Sequence, residues 1–304
     1  MKKNNQNLPD FLIVGVAKCG TTSLVKYLEN HPEILFSKKK EPRYLTYDLL
    51  SEKGYKGPGD FRPKKIAVKS LNDYKAQFLY MPSKTKGEAS TDTIFYYKHS
   101  IPKIKKEIGD PKIIIILRDP VRRAISAYSH LVREDREKLD FKEALKNEKK
   151  RLSNGFECIW AYAEGGLYFE PVKAFIHAFK NVKVIIFENF IAEGDKEIGE
   201  ILDFLSLSKE FNFEKVKFNK SGRPKSRIIN KFLTRKSLVK TVISFLIGKQ
   251  TALTIKNKVQ ERNLEKIHIG IETQKELYNY FKNDITKLES FLNINLEVWK
   301  KPYK

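Results

Sequence analysis

The stretch Phe11-Leu-Ile-Val-Gly-Val-Ala-Lys-Cys-Gly-Thr-Thr-Ser23 decides how this chain folds. Its first half, Phe11 to Val16, is a near-continuous apolar run, as in strands buried on both faces of a parallel sheet. The loop Ala17 to Gly20 follows. A helix of roughly Thr21 to Asn30 comes next, with Leu24, Tyr27 and Leu28 on one face at i, i+3 and i+4. His31-Pro32 stops it. A strand, a glycine loop and a helix in this order leave backbone N–H groups unpaired at the helix N-terminus, where they form an anion site.

The loop departs from the nucleotide P-loop, G-x-x-x-x-G-K-[ST], in one respect. Gly15 and Gly20 keep the spacing, but Thr21 stands where the lysine would be, and the lysine lies inside the loop at Lys18. A P-loop also uses a metal ion, held partly by an Asp at the end of a buried strand. The strongest strand in the sequence, Lys112 to Leu117, ends in Arg118 before Asp119, so a cation occupies the carboxylate's place. Metal-dependent hydrolysis of a triphosphate is therefore the less favoured use. Backbone N–H groups, the hydroxyls of Thr21, Thr22 and Ser23, and Lys18 suit a metal-free phosphate or phosphosulfate.

A second segment, Arg118-Asp-Pro-Val-Arg-Arg-Ala-Ile-Ser126, repeats strand, turn and helix, with Pro120 in the first turn of a helix running to about Glu134. Arg118 lies at the carboxyl end of its strand, where open α/β sheets bind ligands. Its guanidinium and the Ser126 hydroxyl can converge on one tetrahedral anion. Arg122 and Arg123 are expected to face solvent or pair with carboxylates such as Glu134 or Asp135.

Farther out, Tyr168 to Phe179, Ile198 to Leu205 and Glu272 to Phe291 read as helices, and Val182 to Phe187 as a strand. Alternating strands and helices point to βαβ units and a mostly parallel sheet, hence an α/β fold. Ser51 to Lys65, rich in Gly, Pro and Lys, reads as a surface loop. Phe213 to Lys258 is basic, is interrupted by Gly222 and Pro224, and has an amphipathic tail, Lys236 to Leu253. No domain boundary is visible. The expectation is a single domain over 1–304, with a core of about 10–210 and a basic C-terminal part of about 211–304.

The chain has 304 residues, 41% of them hydrophobic and 12% aromatic, which is ample for a large core and excludes disorder as the dominant state. Two cysteines, Cys19 and Cys158, exclude a disulfide scaffold and fit a reducing compartment. Met1 to Asp10 is polar, without the pattern of a secretory leader. The longest nearly apolar stretch, Leu238 to Leu246, is broken by Lys240 and is about half the ~20 residues of a spanning helix. The expectation is a soluble, cytoplasmic protein. With 59 Lys+Arg against 37 Asp+Glu, the net charge is +22. Nucleic acid, an anionic membrane face, an acidic polymer and a phosphate-rich cofactor would all suit that charge.

Together the two anion segments resemble the motifs of the sulfotransferases that use 3′-phosphoadenylyl sulfate (PAPS), especially the carbohydrate branch that includes the heparan sulfate enzymes. Val16-Ala-Lys-Cys-Gly-Thr-Thr-Ser23 is similar to that family's 5′-phosphosulfate loop, and Ile116 to Tyr128 to its 3′-phosphate motif. The likeness continues through Lys40-Glu41-Pro42, Gly165-Gly-Leu-Tyr168, Val184-Ile-Ile-Phe-Glu188, Lys220 to Arg227 and the ending Leu288 to Trp299, and so covers almost the whole chain. It implies a P-loop-like three-layer fold and in-line transfer of a sulfuryl group from PAPS, without a metal, releasing 3′,5′-bisphosphoadenosine (PAP). By the same resemblance, Lys18 would stabilise charge on the oxygen bridging phosphate and sulfate. Cys19, Gly20, Thr21, Thr22 and Ser23 would form the 5′-phosphate cradle, and Arg118 and Ser126 would hold the 3′-phosphate. The Ser221-Gly222-Arg223 turn would close over the nucleotide. Glu41 would be the general base, and Arg43, Ser90 and Tyr168 would face the acceptor.

That acceptor would be a hydroxyl or amine of a glycan or glycolipid, which can itself be anionic given Lys38 to Lys40 and Arg43. No nucleic acid is implied, and membrane contact would be at most peripheral. The small-molecule branch uses a histidine base, but His99, after Tyr96-Tyr97-Lys98, lacks the matching context and reads as a surface or core histidine. Two departures bear on a heparan-type acceptor. Ala89 follows Glu88 where that branch often has a lysine, and Arg43 sits where a histidine is usual. Two other functions compete: a P-loop nucleotide kinase or NTPase, and a non-enzymatic binder of anionic polymers through Lys38 to Lys40 and the stretch from Lys215 onward. Base stacking needs aromatics among the cations. Phe213 and Phe218 flank Lys215 and Lys217, but none lies within Lys38 to Lys40.

Overall fold

Five consecutive residues of one strand, Ile113 to Leu117, have no exposed surface, so both faces of the sheet they belong to are covered. The structure, a computed structural model, describes residues 7–78, 84–210, 223–226, 248, 251, 255, 259, 263–265 and 267–303. Within these, β1 (Phe11–Gly15), β2 (Ile34–Phe36), β3 (Thr85–Glu88), β4 (Lys112–Leu117) and β5 (Val182–Ile186) form one sheet in the order β2-β3-β1-β4-β5. Every pair is parallel. The chain leaves β1 toward β2 and β3, then returns to its other side for β4 and β5. The carboxyl ends of β3, β1 and β4 therefore meet where the strand order reverses, the usual ligand crevice of such sheets.

Helices flank the sheet, so the α/β, P-loop-like class holds. Thr21–Glu29 follows β1, and its Tyr27 ring meets Phe190 edge-on at 5.7 Å. The helix Pro120–Arg133 follows β4, capped by the Asp119 carboxylate, which accepts from Val121 N at 2.9 Å and Arg122 N at 3.3 Å. Against it and Phe169–Ala178 lies the 22-residue helix Ile271–Leu292, with Leu277, Phe281, Ile285 and Leu288 buried at helical spacing.

Two expectations need correction. Ser51 to Lys65 is only partly loop: the helix Tyr47–Lys53 runs into its start and Phe61–Ile66 into its end, around the Gly54–Gly59 turn. Helix Tyr97–Glu107 was not foreseen, because it buries only Ser100 and Ile104 and carries Pro102 inside. The basic segment Phe213 to Lys258 and its amphipathic tail lie almost wholly outside the described residues. A short antiparallel pair, β6 (Arg223–Pro224) and β7 (Leu264–Glu265), is described, and β6 lies beside the helix Pro120–Arg133.

Candidate active site

The loop after β1 is fixed by its backbone. Val16 N donates to Ile116 O at 2.9 Å, which ties the loop to β4, and Gly20 O accepts from Ser23 N and Leu24 N to open the helix. Gly20 has φ +95°, and a Cβ there would stand 2.5 Å from the Phe187 ring. Only glycine meets both conditions. Thr21 and Ser23 are buried, Thr22 is half-buried, and Thr22 Oγ1 accepts from Lys40 Nζ at 3.1 Å. Cys19 is fully buried with its Sγ 3.8 Å from Tyr168 OH; burial pushes the thiol up to about 11, so it is a neutral filler of the loop.

The second segment is bonded to the first. Arg118 Nη1 donates to Lys18 O at 3.2 Å, and the guanidinium lies 4.7 Å from the centre of the same Phe187 ring that Gly20 abuts. Arg118 Nε is buried with no hydrogen-bond partner, a donor left for a ligand. Ser126 lies buried nearly two turns into the following helix. The chain's last residues brace this segment. Tyr303 OH donates to Asp119 Oδ2 at 2.6 Å, while Glu188 accepts from Asp119 N at 3.2 Å and from Trp299 Nε1 at 2.8 Å. Burial pushes the Asp119 carboxyl up to about 6 against the Tyr303 hydrogen bond.

Arg123 contradicts the expectation of a solvent-facing cation paired to Glu134 or Asp135. It is 1% exposed, and its guanidinium donates to Ala17 O at 3.2 Å, to Tyr162 O at 3.1 Å and to Ala161 O. It thus pins the start of the loop to the 161–162 turn. Gly165 makes the room, since a Cβ there would lie 2.6 Å from the guanidinium. Arg122 stays at the surface, 3.4 Å from Asp119.

Lys18 is half-buried among cations. Burial, then the charges of Arg133, Arg118, Arg123 and Lys40, pull its ammonium down to about 8. His130, on the helix of Ser126, shares this environment; burial, Lys18 and Arg133 press it down to about 2, so it stays neutral. The arrangement of these cations fits an anionic nucleotide with two separated phosphate groups: a Cβ-free cradle at Gly20 and an Arg118 Nε that is buried without a hydrogen-bond partner.

The other side of the crevice is built from carboxylates. Glu41, after β2, accepts from Arg43 Nη2 at 2.9 Å and from Thr91 Oγ1 at 3.4 Å. Arg43 is buried, with Nη1 2.5 Å from Glu157 and 3.9 Å from Asp92. Burial disfavours its charge, but Glu157, Asp92 and Glu41 outweigh this and hold it well above the ordinary arginine value. Ser90 accepts from Arg43 N at 2.9 Å and donates to Glu88. Burial raises the Glu88 carboxyl to about 8; the Ser90 hydrogen bond opposes this, and the charges of Asp92 and Glu41 add to it. Tyr168 is buried and donates to Arg118 O at 2.9 Å. The Ser90 and Tyr168 hydroxyls and both Arg43 Nη atoms are thus bonded inside the protein, while Arg43 Nε is buried without a hydrogen-bond partner. A cavity of about 250 Å³ opens beside Ala17 and Thr91, walled by Phe95, Tyr97, Leu167 and Tyr168.

The structure thus brings Lys18, the 19–23 cradle, Arg118, Glu41 and Thr91 to one crevice. Ser221 and Gly222 lie outside the described residues, and Arg223 is described only as part of β6. His99 stands on the helix Tyr97–Glu107, half-buried, with Nε2 unpartnered. Sequence reasoning missed Arg123, Thr91, Glu157 and the Tyr303–Asp119 brace. The paired Gly165-Gly166 was the one local signal, since two consecutive residues without side chains mark a close approach.

Comparison with known proteins follows the same lines. A sequence model described as the sulfotransferase family matches residues 9–211. Human heparan sulfate glucosamine 3-O-sulfotransferase 3A1 is 25% identical over 224 residues, 73% of this chain and 50% of that protein. The membrane-associated sulfotransferase kil1 of Dictyostelium discoideum is 27% identical over 332 residues, 94% of this chain and 65% of its own length. The chain spans about half the length of the human relatives it matches. A crystal structure of a sulfotransferase from Alicyclobacillus acidocaldarius superposes with a TM-score of 0.75 at 29% identity, covering 96% of this chain and 98% of that one.

Proposed function

The chain belongs to the sulfotransferase family, and on that premise we propose that it moves a sulfuryl group from PAPS to a hydroxyl or amine of a carbohydrate acceptor. The observation that carries this reading is the joining of the two anion segments, with Arg118 bonded to Lys18 O and both packed on Phe187. PAPS, when bound, supplies the sulfuryl group and departs as PAP. The 19–23 cradle holds the 5′-phosphate through backbone N–H groups and hydroxyls, and Arg118 Nε with Ser126 takes the 3′-phosphate. Lys18 Nζ supplies positive charge where negative charge grows on the leaving oxygen. Its lowered pKa rises again beside an anion, so binding draws a proton onto it.

Glu41 takes the acceptor's proton at the carboxylate face toward Thr91, a role typically worth ~10²–10⁴-fold in rate. Arg43, Ser90 and Tyr168 act from behind: they orient the base and the loop. A glycan acceptor is supported by the human relative's name. Ala89 and the committed Arg43 guanidinium support one different from heparan sulfate. A cytoplasmic setting is supported by two buried free thiols, Cys19 and Cys158. Among the described residues no helix is long and apolar enough to cross a membrane.

Transfer of radiolabelled sulfate from PAPS onto a panel of glycans and glycolipids, in the presence of a chelator, tests the reading. Label in one acceptor, abolished in Glu41→Gln, is the expected result. No PAP binding together with clear binding of Mg-ATP would replace it with a P-loop kinase or NTPase.

A further inference from the structure

The clearest unassigned feature beside this site is a chain of alternating buried charges that ends at Glu41. Asp60 has no exposed surface; it accepts from Gly57 N and Glu157 N at 2.9 Å each and from Trp160 Nε1 at 3.0 Å, and it pairs with Arg136. Arg136 also donates to Pro58 O at 2.6 Å and lies 3.5 Å from Glu157. Glu157, held on its backbone by Asp60 and on its side chain by Arg136, fixes Arg43 Nη1 at 2.5 Å. The other fork nitrogen, Nη2, meets Glu41 Oε2 at 2.9 Å.

Arg43 has little freedom to do anything else. Its backbone sits in the left-handed region with φ +52°, its N–H is bonded to Ser90 Oγ, and its carbonyl accepts from Thr46 N at 3.3 Å. Its side chain is 10% exposed, so it cannot reach out to an acceptor. Glu41, in contrast, is 23% exposed, and its second contact, with Thr91, is long at 3.4 Å. The aim of that carboxylate therefore depends on the arginine fork.

We infer that Arg43 is a positioning residue: anchored through Nη1 to the Glu157–Arg136–Asp60 chain, it holds Glu41 through Nη2 in the orientation from which the carboxylate takes the acceptor's proton. The inference rests on the reading of Glu41 as the base. Glu157 is then part of the same device although it touches neither substrate nor base. A fork is required, since its two Nη atoms each reach a different carboxylate at once. A lysine keeps the charge and satisfies one of them.

The test uses the full chain with three substitutions: Glu41→Gln, Glu157→Gln and Arg43→Lys. Calorimetric binding of PAP shows that each variant retains a folded donor site. Crystal structures of the PAP complexes then read the position of residue 41. In Glu157→Gln and Arg43→Lys, Glu41 should leave the Thr91 side or split between conformers while the loop around Lys18 is unchanged. Turnover, read as radiolabelled sulfate moved from PAPS to the acceptor labelled in the panel of glycans and glycolipids, should fall about 10²-fold in kcat with the KM for PAPS unchanged. A purely structural role predicts lower melting temperatures with Glu41 in place and kcat retained, and that result overturns the inference. Loss of turnover in Glu41→Gln alone would also overturn it while leaving the base reading intact. Full turnover in Glu41→Gln would remove the base reading, and the inference with it.

Discussion

The two sides of the crevice solve opposite electrostatic problems. The donor side, Ala17–Ser23 with Arg118–Ser126, gathers cations around a helix N-terminus, and Lys18 is pressed toward losing its proton at about 8. The acceptor side, Glu41–Arg43 with Glu88–Asp92, buries carboxylates, and Glu88 is pressed toward keeping a proton up to about 8. An anion bound on the donor side would lower the cost of gathering that charge. The acceptor side lowers its cost internally, through Arg43 and Arg136. Charge is thus balanced within the chain on the acceptor side and left in excess on the donor side.

Substitutions can separate the two sides, and the largest effect belongs to the acceptor side. Glu41→Gln should cut turnover by ~10²–10⁴-fold while PAP binding, measured by calorimetry, is unchanged. Lys18→Met should lower kcat by ~10²–10³-fold and also weaken PAP, since it removes charge stabilisation on the donor side. Gly20→Ala should cost about 1–3 kcal/mol of strain at φ +95° besides the clash with Phe187, seen as a lower melting temperature and weaker PAP binding with Glu41 unaffected.

The smallest effect is in pH, and its sign differs between Glu88 and Lys18. Glu88 keeps its proton in the folded chain above its ordinary range. The folded state then binds more protons than the unfolded one, and stability falls as pH rises from the ordinary glutamate range to about 8, at up to about 1.4 kcal/mol per pH unit. Lys18 loses its proton early, so its own contribution to stability rises from about 8 toward the ordinary lysine range, against the falling contribution of the buried Cys19 thiol. Denaturant titration from the ordinary glutamate range to pH 8 should show a shallower fall in Glu88→Gln than in the unsubstituted chain, by up to about 1.4 kcal/mol per pH unit. The same profile in both chains would deny the contrast.

The same contrast explains what the sequence made legible. The donor side is written in local spacing: β1, Gly15 to Ser23, and the Arg118-Asp-Pro turn are each contiguous, because a backbone cradle needs neighbours in the chain. The acceptor side draws Arg43, Asp60, Asp92, Arg136 and Glu157 from five segments, and no spacing connects them. Arg123 was misread for a related reason: its partners are the carbonyls of Ala17, Ala161 and Tyr162, which carry no sequence signal, while acidic Glu134 and Asp135 stood near in the chain. Phe61–Ile66 and Tyr97–Glu107 escaped notice because they bury few or no residues, so no apolar period betrays them. Lys38 to Lys40 fit the sequence expectation of an exposed basic edge, but Arg43 does not belong to it; it is buried and paired.

The central claim is that both anion segments form one nucleotide site. Thermal unfolding with PAP in a chelating buffer tests it most directly. At about 100-fold over Kd, PAP should stabilise the chain by about 2.7 kcal/mol, and Arg118→Ala should erase most of that gain without changing the unliganded melting temperature to the same degree. No stabilisation by PAP, or stabilisation that survives Arg118→Ala in full, would contradict a single site spanning Lys18 and Arg118.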